Sequence, residues 1–271
     1  MVRVVRVIVA VSLTIAACWS AASASLAQSG DSGSSKTAGE TDQQKSSQGQ
    51  EDTTEEKLPP ARRRYMGRTI AQTMSHRGAG WLIRDSRDQE ERPREALRAL
   101  QLKPGMTVCD MGCGNGFWTL LMSEKVGDDG KVLAVDIQPE MLSLLRARCK
   151  EAKVTNVKPV LGGLADPHLD DESVDLLLMV DVYHEFSYPK IMLQNIRKAL
   201  KDDGVIALLE YRAEDPRVPI LPLHKMSRKQ ILREYEANGY KLVRQYTKLP
   251  WQHLMFFGKD PDWKPEDAKQ P

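Results

Sequence analysis

Cysteine is scarce: four residues in 271. Setting Cys18 apart, Cys109, Cys113 and Cys149 form an odd number at no metal-ligand spacing. This argues against a disulfide scaffold and leaves no metal signal. Cys109 and Cys149 read as small core residues, and Cys113 sits where a small side chain suffices. Net charge is also small, at +2, and no segment has the charge density of a nucleic-acid binder. No apolar run approaches the ~20 residues that a membrane-spanning helix needs. Any attachment to a membrane would therefore go through an uncleaved signal anchor or a lipidated Cys18.

Charge is unevenly spread. Residues 1–27 carry only Arg3 and Arg6, residues 28–60 carry three lysines against seven acids, and residues 61–271 hold a balance of +4. The first segment has the parts of a secretory signal. The basic start is followed by an apolar stretch from Val7 to Ala17 and then by the small-residue triplets Ala22-Ser23-Ala24 and Ser25-Leu26-Ala27. Ile15-Ala16-Ala17-Cys18 is a rival reading, a bacterial lipoprotein box. The expectation is an exported, periplasmic or envelope-associated protein, or a cytoplasmic one if the signal is not used. Residues 28–60 have almost no apolar side chain and cannot offset their ordering entropy, so they read as a disordered linker. Residues 61–93 then form an extension or lid, 94–258 the folded domain, and 259–271 a tail.

From residue 94 the chain alternates helix and strand. The predicted strands are Met106–Asp110, Lys131–Asp136, Val157–Leu161, Val174–Val180, the VIALLEY run ending at Tyr211, and a closing hairpin of Tyr240–Tyr246 and Gln252–Phe257. Between them fall helices over Arg94–Leu100, Phe117–Val126, from Pro139 onward, Tyr188–Leu200, and after Ser227, whose Ser-x-x-Gln run reads as a capping box. The apolar stretch VDLLLMV is that of a central parallel strand covered on both faces. This alternation implies an α/β fold: a Rossmann-like, seven-stranded, mostly parallel sheet with helices on both faces and a C-terminal antiparallel hairpin. Ligands in such sheets bind at the carboxyl ends of the strands.

The first strand ends in VCDMGCGNGFWTL. A dinucleotide fingerprint needs glycine at 112, 114 and 117, and position 117 is Phe117. The spacing here is Asp110-x-Gly112-x-Gly114-x-Gly116, with Asp136 twenty residues beyond Gly116 at the tip of the second strand. Glycines there let the backbone turn tightly and approach a ligand. With the later Asp170-Asp171-Glu172-Ser173-Val174-Asp175, this run resembles the class I S-adenosylmethionine (SAM) dependent methyltransferases, in the branch often called type-11 methyltransferase domains. The resemblance covers residues 94–211 well and the rest in outline.

The resemblance implies SAM as the cofactor. Asp110 would meet its ammonium, with Gly112, Cys113, Gly114 and Gly116 forming the loop around its tail. Asp136 would accept the ribose hydroxyls, and Ile137 would pack on the adenine. Gly163 stands where the family usually has an acid for the adenine amino group; Leu164 would offer a backbone N–H there, and Asp166 is a possible substitute. Asp181 would line the cofactor pocket. Tyr183, His184 and Glu185 follow the fourth strand and are the candidate catalytic residues. His184 reads either as a base, since imidazole titrates near neutrality, or as a hydrogen-bonded turn residue. Glu210, Arg212 and His224 would form the opposite, substrate wall. The implied activity is methyl transfer to a small-molecule or lipid-like acceptor. A silent SAM-binding module and a nicotinamide-dependent oxidoreductase are the alternatives. Nothing in the sequence speaks to oligomeric state.

Overall fold

Seven strands in the order β3-β2-β1-β4-β5-β7-β6 make the central sheet of this computed structural model, which describes residues 58–264. They are β1 (Thr107–Met111), β2 (Lys131–Asp136), β3 (Val157–Leu161), β4 (Val174–Val180), β5 (Leu200–Tyr211), β6 (Tyr240–Tyr246) and β7 (Gln252–Lys259). The first five run parallel, and β7 pairs antiparallel with both β5 and β6. The signal segment, Cys18, residues 28–57 of the linker and the last seven residues of the tail lie outside the described residues.

β4 shows why the sheet has helices on both faces. Successive strand side chains point to opposite faces. Leu177 and Met179 join a core cluster with Met192, Ile196, Ile231 and Tyr235. Leu176 and Leu178 join another with Ala96, Leu97, Trp118 and Met122. The first cluster is closed by α4 (Pro189–Ala199) and α5 (Arg228–Ala237), the second by α1 (Pro93–Leu100) and α2 (Phe117–Val126). A further helix, α3 (Pro139–Glu151), covers Ala134 of β2 with Leu142 and Leu145. Each such leucine, fully buried, contributes ~1.5–3 kcal/mol. Cys109 and Cys149 lie inside as free thiols.

Two local features differ from the sequence expectation. β5 starts at Leu200 because the chain leaves α4 directly into pairing with Val174, across an irregularity before Leu176. The Asp203-Gly204 stretch is thus absorbed into the strand. At α5 only half of the capping box forms. Ser227 Oγ accepts from the Gln230 N–H, whereas the Gln230 side chain donates to Met66 O and Glu234.

Before α1 the chain crosses the carboxyl edge of the sheet. Arg64–Tyr65 and Arg68–Thr69 form a short hairpin, with Met66 and Gly67 at positive φ in its turn. A 3-10 segment, His76–Ile83, follows.

Candidate functional site

The glycine loop joins β1 to α2, with φ of +71°, +53° and +84° at Gly112, Gly114 and Gly116. An L side chain is disfavoured there, and each would require a neighbouring side chain to shift. A Cβ on Gly112 would lie 2.4 Å from Val182 Cγ2, one on Gly114 2.5 Å from Leu82 Cδ1, and one on Gly116 2.2 Å from Leu145 Cδ1. The end of β2 holds the loop. Val135 O accepts from the N–H groups of Gly112 and Cys113, at 2.8 and 2.9 Å. Asp136 Oδ2 accepts from the Gly114 N–H at 2.9 Å, while Oδ1 accepts from Gln138 N.

Three carboxylates end three adjacent strands. Asp110 is buried at the end of β1 and accepts a 2.5 Å bond from Thr119 Oγ1. Burial pushes its carboxyl up to about 6; the Thr119 bond opposes this and the Asp136 charge adds to it. Burial also raises Asp136, against the stabilising N–H bonds of Gln138 and Gly114. Asp181, just after β4, sits at φ +53°. Its Oδ2 accepts from Gln252 Nε2 at 2.7 Å, and its buried Oδ1 has no hydrogen-bond partner. Burial, with Glu91 and Glu210 nearby, holds this carboxyl well above the usual range.

The extension packs onto the loop through specific bonds. Asn115 Nδ2 donates to Ala79 O at 2.9 Å. Gln138 links both ways, accepting from His76 N and donating to Met74 O. Leu82 lies against Gly114. The following turn is locked by buried ions: Arg87 and Arg84 both bond Glu91, and the Tyr211 hydroxyl at the end of β5 donates to the same carboxylate at 2.8 Å. Arg87 also covers the Phe117 ring, 4.1 Å from its centroid.

The far wall is built around His184, in the 3-10 turn Tyr183–Glu185. Glu210, fully buried near the end of β5, faces His184 Nδ1 with Oε2 at 2.7 Å and accepts from the His184 backbone N–H with Oε1 at 3.2 Å. A carboxylate there requires a proton on Nδ1, so in the neutral ring the Nε2 lone pair is directed away from Glu210. Nε2 stands 3.0 Å from His224 Nδ1 and 3.9 Å from Glu185 Oε1. Burial alone would lower the imidazole pKa, but Glu210 outweighs it and the net shift is upward. Burial raises Glu185 to about 7, with Glu210 and Asp136 adding to the effect against His184. His224 arrives from the Pro222–His224 turn, which the contact between Arg212 and Met226 brings back to the sheet edge.

Three sequence assignments need correction. Tyr183 does not face the site: it is fully buried in the core, packed edge-on against Tyr235 and Phe186, with its hydroxyl on Glu234 Oε2 at 2.7 Å. Arg212 is not a substrate wall. Its guanidinium is spent on the carbonyls of Leu249, Pro250 and Gln252. Glu210 stands behind His184 rather than at the surface of the wall. Gly163 is tied by its N–H to Asp166 O, Leu164 is exposed, and the Asp166 side chain caps the His168 N–H instead of replacing the missing acid. Ile137 is half-buried beside Asp136.

Sequence reading missed Arg68. It bonds Glu234 through two nitrogens and donates to the carbonyls of His184 and Tyr183, so the extension holds the backbone of the His184 turn. An isolated arginine carries no signal of a partner 166 residues away.

The family described as "Methyltransferase domain" matches residues 102–252. A demethylmenaquinone methyltransferase of Shouchella clausii is 28% identical over 168 residues, 62% of this chain and 71% of that protein. The chain spans about half the length, 52%, of further curated relatives. An arsenite methyltransferase of Halobacterium salinarum is 32% identical over 107 residues, 40% of this chain and 27% of that protein. Among solved structures, a SAM-dependent methyltransferase from Aquifex aeolicus superposes with a TM-score of 0.65 at 25% identity, covering 68% of this chain and 98% of that one.

Proposed function

The chain belongs to the methyltransferase domain family, and from that premise we propose that it moves the methyl group of SAM to a small-molecule or lipid-like acceptor by in-line displacement. Its cofactor is SAM. SAM supplies an activated methyl group on a sulfonium; the chain's own task is to bind, orient and exclude water.

The residues at the carboxyl edge suit that group. SAM carries two positive centres against one carboxylate, and the site around the loop is lined by Asp110, Asp136 and Asp181. Asp181 Oδ1, buried without a partner, is the observation that carries the reading, because an unpaired buried polar atom is expensive unless a ligand completes it. Each Asp136 oxygen already accepts one backbone N–H. A carboxylate oxygen can take a further bond, which leaves capacity for the ribose hydroxyls. Asp110 supplies charge for the ammonium. Ile137 offers an apolar surface to the adenine. With Gly163 in place of an acid, recognition of the base rests on backbone and apolar contacts.

The acceptor end is the corner of His184, Glu185 and His224. His184 Nε2, oriented by Glu210, would take a proton from a hydroxyl, thiol or similar nucleophile that displaces His224 from its 3.0 Å contact. The names of the relatives, which refer to a demethylmenaquinone and to arsenite, support a small-molecule acceptor. Residues 61–93, lying over Gly114 and Asn115, serve as the cover that keeps water out. Export is proposed from Arg3, Arg6 and the Val7–Ala17 run. A mature N-terminus after Ala24 or Ala27, or a lipid on Cys18, is the expected mass-spectrometric result, against an intact Met1.

Calorimetry of SAM against the full chain, followed by release of S-adenosylhomocysteine with a panel of quinols, thiols and arsenite, tests the assignment. A folded chain that does not bind SAM refutes it. Binding without turnover on any acceptor leaves a silent binding module.

A further inference from the structure

We propose that His184, Glu185 and His224 form a site for one divalent first-row transition cation of the zinc type. The sequence has no metal-ligand spacing, because His224 lies 40 residues beyond His184; the fold alone brings the three together. One ligand atom from each lies within 4.8 Å of the others. The closest pair, His184 Nε2 and His224 Nδ1, is separated by 3.0 Å. Two nitrogens on one tetrahedral zinc, each at ~2.0–2.1 Å, stand about 3.4 Å apart. The imidazoles are therefore already near the spacing that a shared cation imposes, and Glu185 Oε1, at 3.9 Å from His184 Nε2, needs only a side-chain adjustment.

The surroundings of His184 are those of a prepared ligand. Metal-binding histidines generally donate their second ring N–H to a carboxylate or carbonyl, which sets tautomer and ring orientation. Glu210 is that acceptor for Nδ1–H, at 2.7 Å, and also accepts from the residue's own backbone N–H. Both side chains are almost fully buried, and Arg68 anchors the turn through the His184 carbonyl at 2.9 Å. The ring cannot easily rotate away. Without a cation, a proton on His224 Nδ1 completes the contact, so a metal must displace a single hydrogen bond.

Donor chemistry selects the cation. Two imidazoles and one carboxylate suit zinc, cobalt, iron or nickel, whereas magnesium and calcium prefer all-oxygen sites. Three protein ligands leave a position open, the arrangement of catalytic rather than structural zinc. Cation binding stands independently of methyl transfer. Its use there rests on the reading above: a cation in this corner would polarise an oxygen, nitrogen or sulfur of the acceptor, and the His184 lone pair would then serve as ligand rather than base.

The test titrates the full chain, stripped with a chelator, with Zn²⁺ by calorimetry and with Co²⁺ by its visible d–d absorption. One equivalent bound, with the intense bands of a low-coordinate cobalt site, is the expected result. His224→Ala, a change in a half-buried turn, should weaken binding at least ~10-fold, and Glu210→Gln by ~10–100-fold as for other partners of metal-bound histidines. Absence of stoichiometric binding by the wild-type chain, or unchanged affinity in His224→Ala, overturns the proposal. SAM calorimetry on the same metal-free chain reads the other premise separately. SAM binding without cation binding overturns the metal site alone, and cation binding without SAM leaves the site standing while overturning the cofactor assignment.

Discussion

Asp110 gives the cofactor assignment a signature in pH. Buried beneath the glycine loop, its carboxyl titrates at about 6 instead of the ordinary 3.8, because burial and the nearby Asp136 outweigh the Thr119 bond and the Arg87 charge. A cofactor ammonium selects the ionised form. At pH 5 roughly a tenth of unliganded molecules carry that form and at pH 7 roughly nine tenths. Apparent SAM affinity should therefore rise about tenfold across this interval and flatten above it. The amino group of SAM stays protonated throughout, its ordinary pKa being about 7.7–8.0. Stability of the unliganded chain should move the opposite way. The folded state keeps its Asp110 proton up to about 6 whereas the unfolded state releases it near 3.8. This contribution is thus full below pH 4 and lost as pH rises through 6, by about 3 kcal/mol. Calorimetry of SAM at five pH values, on wild type and Asp110→Asn, is the assay. Asp136 is also raised, so the variant is needed to isolate one group. A wild-type profile that is flat between pH 5 and 7, or an identical slope in Asp110→Asn, would refute the reasoning.

Other substitutions probe the scaffold around the site. Gly112→Ala places a methyl 2.4 Å from Val182 at φ +71°; left-handed strain of ~1–2 kcal/mol and overpacking of ~1–3 kcal/mol should lower urea-measured stability by at least about 2 kcal/mol. Asp136→Ala should weaken SAM binding by about 1.5–3 kcal/mol in calorimetry, the range for hydrogen bonds to charged groups. Arg68→Ala leaves Glu234 buried without its cation and should destabilise by about 3–5 kcal/mol in chemical denaturation, with part recovered on adding Glu234→Gln. Tyr211→Phe removes the hydroxyl that donates to Glu91 and should cost about 1 kcal/mol in the same assay.

Much of the scaffold is written in local pattern. Apolar runs, turn residues and the period of each helix place four of the five parallel strands and the closing pair within a residue or two, because those signals depend on neighbours a few positions apart. The loop glycines and Asp136 are legible for the same reason: their roles follow from backbone freedom and from the end of a strand. Boundaries shift where pairing competes with turn chemistry, as at Leu200, where the partner Val174 draws the chain into the strand.

Tertiary packing decides which way a side chain at a strand end points. Tyr183 and His184 are adjacent and both polar-tipped, yet one turns into the core onto Glu234 and the other toward His224. Nothing in the local sequence separates them. Glu210, read as a wall, becomes the support of His184 because β5 lies beside β4. Arg212 is drawn off to the carbonyls before β7. The parallel direction of the first five strands follows from the alternation of helix and strand patterns along the chain, whereas these pairings join residues 26 to 51 positions apart. They exist only once the sheet has closed, since burial forces each polar group to find a partner among whatever the topology has brought within reach.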